Sequence, residues 1–432
     1  MSKLQKYDSY KDSGVEWVGN IPEHWEIIKI KYLMNEKKKT YNMNLNCGSI
    51  SFGKVVYKDD EKISFSTKKA YQVVEKGNFL VNPLNLNYDL KSLRIALSDL
   101  NVVVSSGYIV LDILRDINKA YLNYLLHRFD VAFMKTLGAG VRQTLNYTDI
   151  SECELIEPPM EEQIKIAFFL DTKTEQLDKA ITQKEQLIEL LKERRQILIN
   201  DAVTKGIDKT VAMKDSGVEW IGEIPEHWDI KKLKYLLVNK LKYGANESGI
   251  EYSENLPRYV RITDFSNSGK LSEKNKLSLS WENGKEYLLK DGDILFARSG
   301  ATVGKTYQFK KSMSKENLYS FAGYLIKAEA DENKILSDYL YLYTNSNVFE
   351  SWKERIFIKA TIENIGADKY SQLLIIVPSI KEQIKILEKY NLENKKIDKA
   401  INLQQQQITK LKEYKTTLID SVVTGKVRVC DD

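Results

Sequence analysis

Asp12–Met34 reads DSGVEWVGNIPEHWEIIKIKYLM, and Asp215–Leu237 reads DSGVEWIGEIPEHWDIKKLKYLL. About three quarters of the positions are identical, and most changes are conservative. A repeat of this kind constrains the whole architecture before any single element is considered. A second repeated pair follows at a different offset. Pro158–Gly206 begins PPMEEQIKIAFFL and ends LINDAVTKG, while Pro378–Lys426 begins PSIKEQIKILEKY and ends LIDSVVTGK, and the two align without a gap. The order is therefore motif, variable block, long helix, and then the same three again. The variable blocks, about 35–157 and 238–377, share little sequence and differ in length by about 17 residues. Alike framework pieces around unlike inserts suit a scaffold holding two separately tuned recognition modules.

The helices carry a heptad stripe. In the first copy it runs Leu177, Ile181, Lys184, Ile188, Leu191, Arg195, Leu198, Ala202, and in the second Ile397, Ile401, Gln404, Ile408, Leu411, Lys415, Leu418, Val422. Steps alternating four and three are the coiled-coil stride. The polar interruptions match, Lys184 with Gln404 and Arg195 with Lys415. Polar residues in such a seam cost stability but fix register. A helix of about 40 residues spans roughly 60 Å and does not stand alone in water with an apolar seam. The matched registers favour an internal pair over homo-oligomerisation. Antiparallel packing is expected, because it places the variable blocks at opposite ends. Pro159 with Glu162-Gln163-Ile164, and Pro378 with Glu382-Gln383-Ile384, read as helix starts: proline suits the first turn and acids suit the helix dipole.

Composition narrows the class. At 432 residues the chain exceeds one ordinary core, and 43% apolar content lets each half bury its own. A net charge of +5 is too small for a chain coated in positive charge, but it permits nucleic-acid binding if the basic residues gather on one face. Cys47, Cys153 and Cys430 are far apart and form no CxxC pair, which argues against a disulfide framework or a zinc site. The opening MSKLQKYDSYKDSG has no apolar signal region and no run of ~20 apolar residues occurs, so a cytoplasmic chain without a membrane partner is expected.

Both blocks read as mixed α and β. Strand-like runs are Lys54–Tyr57, Phe79–Val81, Val102–Val104 and Tyr108–Leu111 in the first, with a helix over Asn118–Leu137. The second has Tyr259–Ile262, Asp293–Ala297, Lys305–Phe309 and Gly323–Lys327, with a helix over Ser337–Arg355. Basic and amide side chains cluster around their loops. The first block offers Lys54, Lys58, Lys68, Lys69, Lys91, Arg94, Arg142, Gln143 and Asn146. The second offers Arg258, Arg261, Arg298, Lys305, Lys310, Lys311, Lys359 and Asn364. Arg and Lys can bond phosphates or guanine edges, and Asn and Gln can pair with adenine.

Catalytic motifs fail on particular residues. Ser299–Thr306, SGATVGKT, resembles a phosphate loop, but the pattern requires glycine where Ser299 stands. It reads better as a tight turn carrying Arg298 and Lys305. Asn82–Leu86, NPLNL, lacks the second proline and the aromatic of an adenine methyltransferase motif. His24 and His227 occupy the same place in the repeated IPEHW, yet no nucleophile or second histidine stands at a useful spacing. Packing or capping suits them, and Trp17, Trp25, Trp220 and Trp228 read as clamps that dock the motif on a helix end or a partner. No catalytic residue and no metal site is assigned.

Two DSGVEW-x-G-x-IPEHW motifs, two variable blocks and two EQ-initiated helices resemble the specificity subunit of type I restriction–modification systems. The resemblance covers essentially the whole chain, and Gly292–Lys305, GDILFARSGATVGK, is similar to segments common in that family's recognition domains. It implies an α+β protein with two mixed α/β target recognition domains, joined by two long antiparallel helices as an intramolecular coiled coil, with a pseudo-twofold internal repeat. The expected segments are 1–157 (first recognition domain with its framework motif), 158–208 (central helix), 209–377 (second recognition domain with the repeated motif) and 378–432 (C-terminal helix). Each block would read one half of a split site in double-stranded DNA. The helices would set the spacer and dock two methyltransferase subunits, and endonuclease/translocase subunits would join for cleavage. S-adenosylmethionine, ATP and Mg2+ would be used by those partners, with no cofactor on this chain. The N-terminal motif would lie near the end of the last helix, closing the repeat in circular order. The rival expectation is a coiled-coil adaptor whose variable blocks bind proteins.

Overall fold

Each repeated motif folds as a small antiparallel hairpin, pairing Tyr10–Asp12 with Asn20–Pro22 in the first copy and Met213–Asp215 with Glu223–Pro225 in the second. The computed structural model describes residues 5–84, 93–134, 145–266, 269–300, 303–358 and 364–429. The chain divides into two compact units, residues 1–185 with 406–432, and residues 186–405. Each long helix, Met160–Thr204 and Ile380–Val423, gives one part of its length to each unit. The compact units therefore cut across the segments of the sequence order.

Every variable block enters and leaves through neighbouring strands. Glu26–Lys29 pairs with Glu154–Glu157, and Asp229–Lys232 with Leu374–Val377, both antiparallel. Ile156 opposite Ile27 and Ile376 opposite Ile230 repeat the same apolar register, which a one-residue slip would turn to the wrong face. Because the ends of each block meet at this strand pair, an insert of almost any size can be accommodated between them.

The two blocks share a topology that their sequences hide. In the first, a four-stranded sheet has the order Met34–Glu36, Ile109–Ile113, Phe79–Val81, Ile95–Leu97. In the second the order is Lys242–Tyr243, Leu325–Ala328, Ile294–Ala297, Thr306–Gln308. Both place the last strand beside the first, then the second and third. The second block adds another four-stranded sheet, in which Arg258–Val260 runs parallel to Tyr319–Phe321. The first adds two antiparallel pairs, Gln72–Val74 with Val102–Val104, and Gly48–Ser51 with Lys54–Tyr57.

The helix expected over Asn118–Leu137 is α-helical over Lys119–Phe129 and then widens into a π turn at Asp130–Met134; its last three residues lie outside the described ones. The helix expected over Ser337–Arg355 is two, Ser337–Tyr343 and Asn347–Ile358. Thr344, Asn345 and Ser346 break it, because their side chains bond back to the carbonyls of Tyr341 and Tyr343.

The long helices run antiparallel. In the first unit Lys415 bonds Asp178 at 2.7 Å and Lys184 bonds Gln407 Oε1 at 2.6 Å. In the second unit Arg195 pairs with Asp398. Three of the four polar interruptions of the stripe, Lys184, Arg195 and Lys415, thus bond across the helices. Among the apolar stripe residues Ile181, Ile188, Ile397, Ile408 and Leu418 are buried, and Leu177, Leu191, Leu198, Ile401 and Leu411 are half-buried. Among the described residues, no helix is long and apolar enough to cross a membrane.

Candidate nucleic-acid interface

The best-built constellation repeats in both units. In the first, Glu162, in the opening turn of its long helix, takes a hydrogen bond from Trp25 Nε1 at 3.0 Å and from Tyr7 Oη at 2.9 Å, and His24 Nε2 lies 2.5 Å from its other oxygen. In the second, Glu382 receives Trp228 Nε1 at 3.2 Å with His227 Nε2 at 2.6 Å, and Ser379 Oγ donates to it at 2.7 Å. Burial alone would raise both carboxyls. Hydrogen bonds from the histidine and tryptophan, together with Tyr7 for Glu162 and Ser379 for Glu382, outweigh it and lower both, Glu382 to about 2. The next residue ties the helix to the variable block: Gln163 accepts from the Asn118 N–H at 2.9 Å, and Gln383 from the Leu336 N–H at 2.8 Å. The histidines serve as carboxylate partners, the tryptophans as clamps.

The same clamps receive the ends of the helices. A Cβ on Gly206 would strike the Trp228 ring, and one on Gly425 would strike Pro22 and Trp25. Both glycines have left-handed φ, as helix C-termini favour. Arg428 donates its N–H to the Gln5 carbonyl at 2.8 Å, so the N-terminal motif meets the end of the last helix. The circular order therefore holds within the first unit.

The basic residues singled out in the sequence differ in exposure and in partners. In the first unit Lys54, Lys58 and Lys69 are exposed, and Lys68 is drawn to Asp60 at 2.6 Å. Asn146 is exposed at the start of the helix Tyr147–Ser151. Lys91, Arg142, Gln143 and Lys359 lie outside the described residues. Arg94 is only 6% exposed; its Nε and main-chain N–H both bond Asp130, and its two terminal nitrogens have no acceptor among the described residues.

In the second unit Arg298, Asn364 and Lys305 come together. Arg298 Nε lies 3.4 Å from Asn364 Oδ1, and its guanidinium sits over the Tyr243 ring at 5.1 Å. Asn364 bridges to Ser299, and Lys305 Nζ donates to the Phe265 carbonyl at 3.1 Å. Thr306 opens a strand rather than the helix that a phosphate loop leads into, and the likeness ends there. Arg261 is held by Asp264 at 3.1 Å and the Asn275 carbonyl; Lys310 pairs with Asp338; Lys311 is exposed.

Arg258 corrects the expectation of a loop residue free for DNA. It is 2% exposed, lies in a strand, and bonds Glu273 at 3.1 Å and Glu316 at 3.3 Å. Arg94 is corrected likewise. A buried guanidinium persists only when a carboxylate compensates its lost hydration, and in both cases the partner lies far from it in the sequence.

Sequence reasoning missed the exposed aromatics beside these cations. Tyr243 stands under Arg298, the Tyr324 carbonyl accepts the Arg298 N–H, and Phe52 caps the turn before Lys54. Phe52 carried no hairpin signal, since Phe-Gly is not one of the dipeptides that mark a two-residue turn. Among the described residues, no group of three or more His, Cys, Asp or Glu could hold a metal ion.

A family profile described as type I restriction modification DNA specificity domain matches residues 4–192. The chain is 26% identical over 318 residues to the type I restriction enzyme MjaVIII specificity subunit of Methanocaldococcus jannaschii, covering 72% of this chain and 70% of that protein. It is 25% identical over 274 residues to the StySPI specificity subunit of Salmonella potsdam, covering 62% of this chain and 57% of that one. Among solved structures, a chain described under complex assembly and conformational transition of the type I R-M system superposes with a TM-score of 0.71 at 15% identity. That match covers 93% of this chain and 98% of the other. The HsdS subunit from Thermoanaerobacter tengcongensis superposes with a TM-score of 0.52 at 14% identity, over 94% and 98%. These two likenesses concern the fold.

Proposed function

We propose that this chain, which belongs to the specificity-subunit family of type I restriction–modification systems, reads a bipartite DNA site, one half with each variable block. Subunits of this family are not catalytic, and catalysis belongs to their partners. The observation that carries the proposal is the doubled Glu–Trp–His clamp, an alike frame bearing two blocks of different outer construction. A frame that repeats while its blocks diverge keeps its assembly contacts constant and lets each block be tuned to its own half-site. The long helices set the spacer between half-sites and dock two methyltransferase subunits, which use S-adenosylmethionine. Endonuclease subunits using ATP and Mg2+ join them, in the cytoplasm.

Lys54, Lys58, Lys68, Lys69, Lys91, Arg142, Gln143 and Asn146 of the first block, with Arg261, Arg298, Lys305, Lys310, Lys311, Lys359 and Asn364 of the second, are the proposed source of DNA contacts. Arg298, stacked on Tyr243 and steered by Asn364, is the best-positioned reader of a base edge among the described residues, since a guanidinium bonds guanine O6 and N7 in a bidentate way.

Methylome sequencing of cells with and without the chain tests the proposal. The expected result is a bipartite adenine-methylated motif that requires the chain. Exchange of residues 35–157 for another member's block should then alter one half of the motif only; both halves altered, or neither, contradicts the modular reading. Intact assembly with partner subunits and no protected DNA site on footprinting would favour the adaptor. Removal of one heptad between Leu177 and Leu198, about 10 Å of helix, should change the length of the unread spacer. An unchanged spacer counts against the ruler role.

A further inference from the structure

Gly48–Ser51 and Lys54–Tyr57 form a two-stranded antiparallel ribbon, with Ser49 opposite Val56 and Ser51 opposite Lys54. Phe52 and Gly53 make its turn, with φ of 47° and 73°. A two-residue turn with both central residues left-handed is the type I′ pattern, which favours Asn-Gly or Asp-Gly. Phenylalanine is disfavoured there, because its Cβ crowds the backbone. Phe52 is also 83% exposed. The ring therefore weakens the turn and adds nothing to a core, so neither local conformation nor packing accounts for it.

The mount beneath is firm. Val55 is buried with Val74, Leu80, Val102 and Val104, and Ile50 packs on the same cluster. A Cβ on Gly48 would strike Val102, and one on Gly53 would strike Leu93 and His127, so the base and tip of the ribbon both rest on the block. With Ile50 and Val55 facing inward, alternation turns Ser49, Ser51, Lys54 and Val56 to the opposite face. The nearest acids at its base are engaged, Asp59 with Lys62 and Asp60 with Lys68, while Lys54 and Lys58 have no ion pair among the described residues.

We propose that this ribbon enters the major groove of double-stranded DNA, with Phe52 against base edges at the groove floor, Ser49 and Ser51 facing the bases, and Lys54 and Lys58 on phosphates. The inference rests on the DNA-reading role above. The groove is about 12 Å wide and admits a two-stranded ribbon. Hydroxyls bond either donor or acceptor edges, a phenyl ring contacts a thymine methyl, and ammonium groups hold phosphates. Those three chemistries occupy the tip and one face of this single element.

The test uses the full chain assembled with its methyltransferase partners. Phe52→Asn places a residue that tolerates left-handed φ, so folding and thermal midpoint should hold or improve. Affinity for the cognate duplex should nonetheless fall on the order of tenfold. Lys54→Ala should weaken binding to all sequences and reduce the salt slope by about 1. Ser49→Ala with Ser51→Ala should relax the first half-site and leave the second unchanged. Wild-type affinity and an unchanged motif in all three variants, in a complex whose wild type methylates a bipartite motif, would overturn the ribbon alone. A wild-type complex with no such motif would overturn both this inference and the proposed function. Lost subunit assembly at unchanged DNA affinity would make the ribbon a protein-docking element and overturn it too.

Discussion

Trp25→Ala is expected to destabilise the unit of residues 1–185 and 406–432 by about 3–5 kcal/mol, the usual result of emptying a large aromatic site. Trp25 is fully buried, touches the helix end at Gly425, and donates to Glu162. Its loss removes packing from the first core and a charge-assisted bond from the clamp at once. Trp228→Ala should do the same to residues 186–405. Denaturation followed by hydrogen exchange checks both. A loss under about 1 kcal/mol, or protection lost equally in both units from one substitution, would contradict the clamp. The clamps also make stability depend on acid. Glu162 and Glu382 titrate lower in the folded chain than the usual 4.5, so their contribution is full above that value. It is lost as pH falls through the folded values, toward about 2 for Glu382.

The second large effect is expected at Arg258. Among the described residues Arg258→Met leaves Glu316, its side chain 5% exposed, with only Lys276 as cationic partner, and breaking a buried pair in this way costs about 3 kcal/mol. Denaturation reads that loss, and methylome sequencing at a permissive temperature should show both half-sites unchanged. Wild-type stability with an altered second half-site would instead place Arg258 on the DNA. This network is acid-sensitive as well. A hydrogen bond from Lys276 is the main reason that the Glu273 carboxyl is lowered to about 2, with Lys315 and Arg258 assisting against burial. Its contribution is present above the ordinary carboxylate value and disappears as pH drops toward 2.

How much could be read in advance follows from which signals are local. The EHW and EQIKI segments announced themselves because each occurs twice, and duplicated residues in a chain with three histidines and six tryptophans are hard to miss. The helices were legible because a four-three stride survives over many turns. Strands such as Lys54–Tyr57, Phe79–Val81 and Val102–Val104 fell where β-branched runs placed them. The break at Thr344–Ser346 was not legible, since a short polar stretch fits a helix surface equally well until its side chains turn back on the backbone. Nor could Arg94 be told from an exposed arginine: its partner Asp130 is 36 residues away.

By itself the sequence determined the doubled frame, the heptad pairing and the family resemblance, because these are carried by periodicity and repetition along the chain. Tertiary structure alone decided that Glu162 and Glu382 are the groups each Trp–His pair grips. It also decided that two blocks with little common sequence share one strand order, that Arg258 lies inside, and that Phe52 stands at the tip of a ribbon. The physical reason is common to all four. Burial, ion pairing and strand neighbourhood depend on residues distant in the chain, so a side chain such as arginine or phenylalanine acquires its role only when folding chooses what surrounds it.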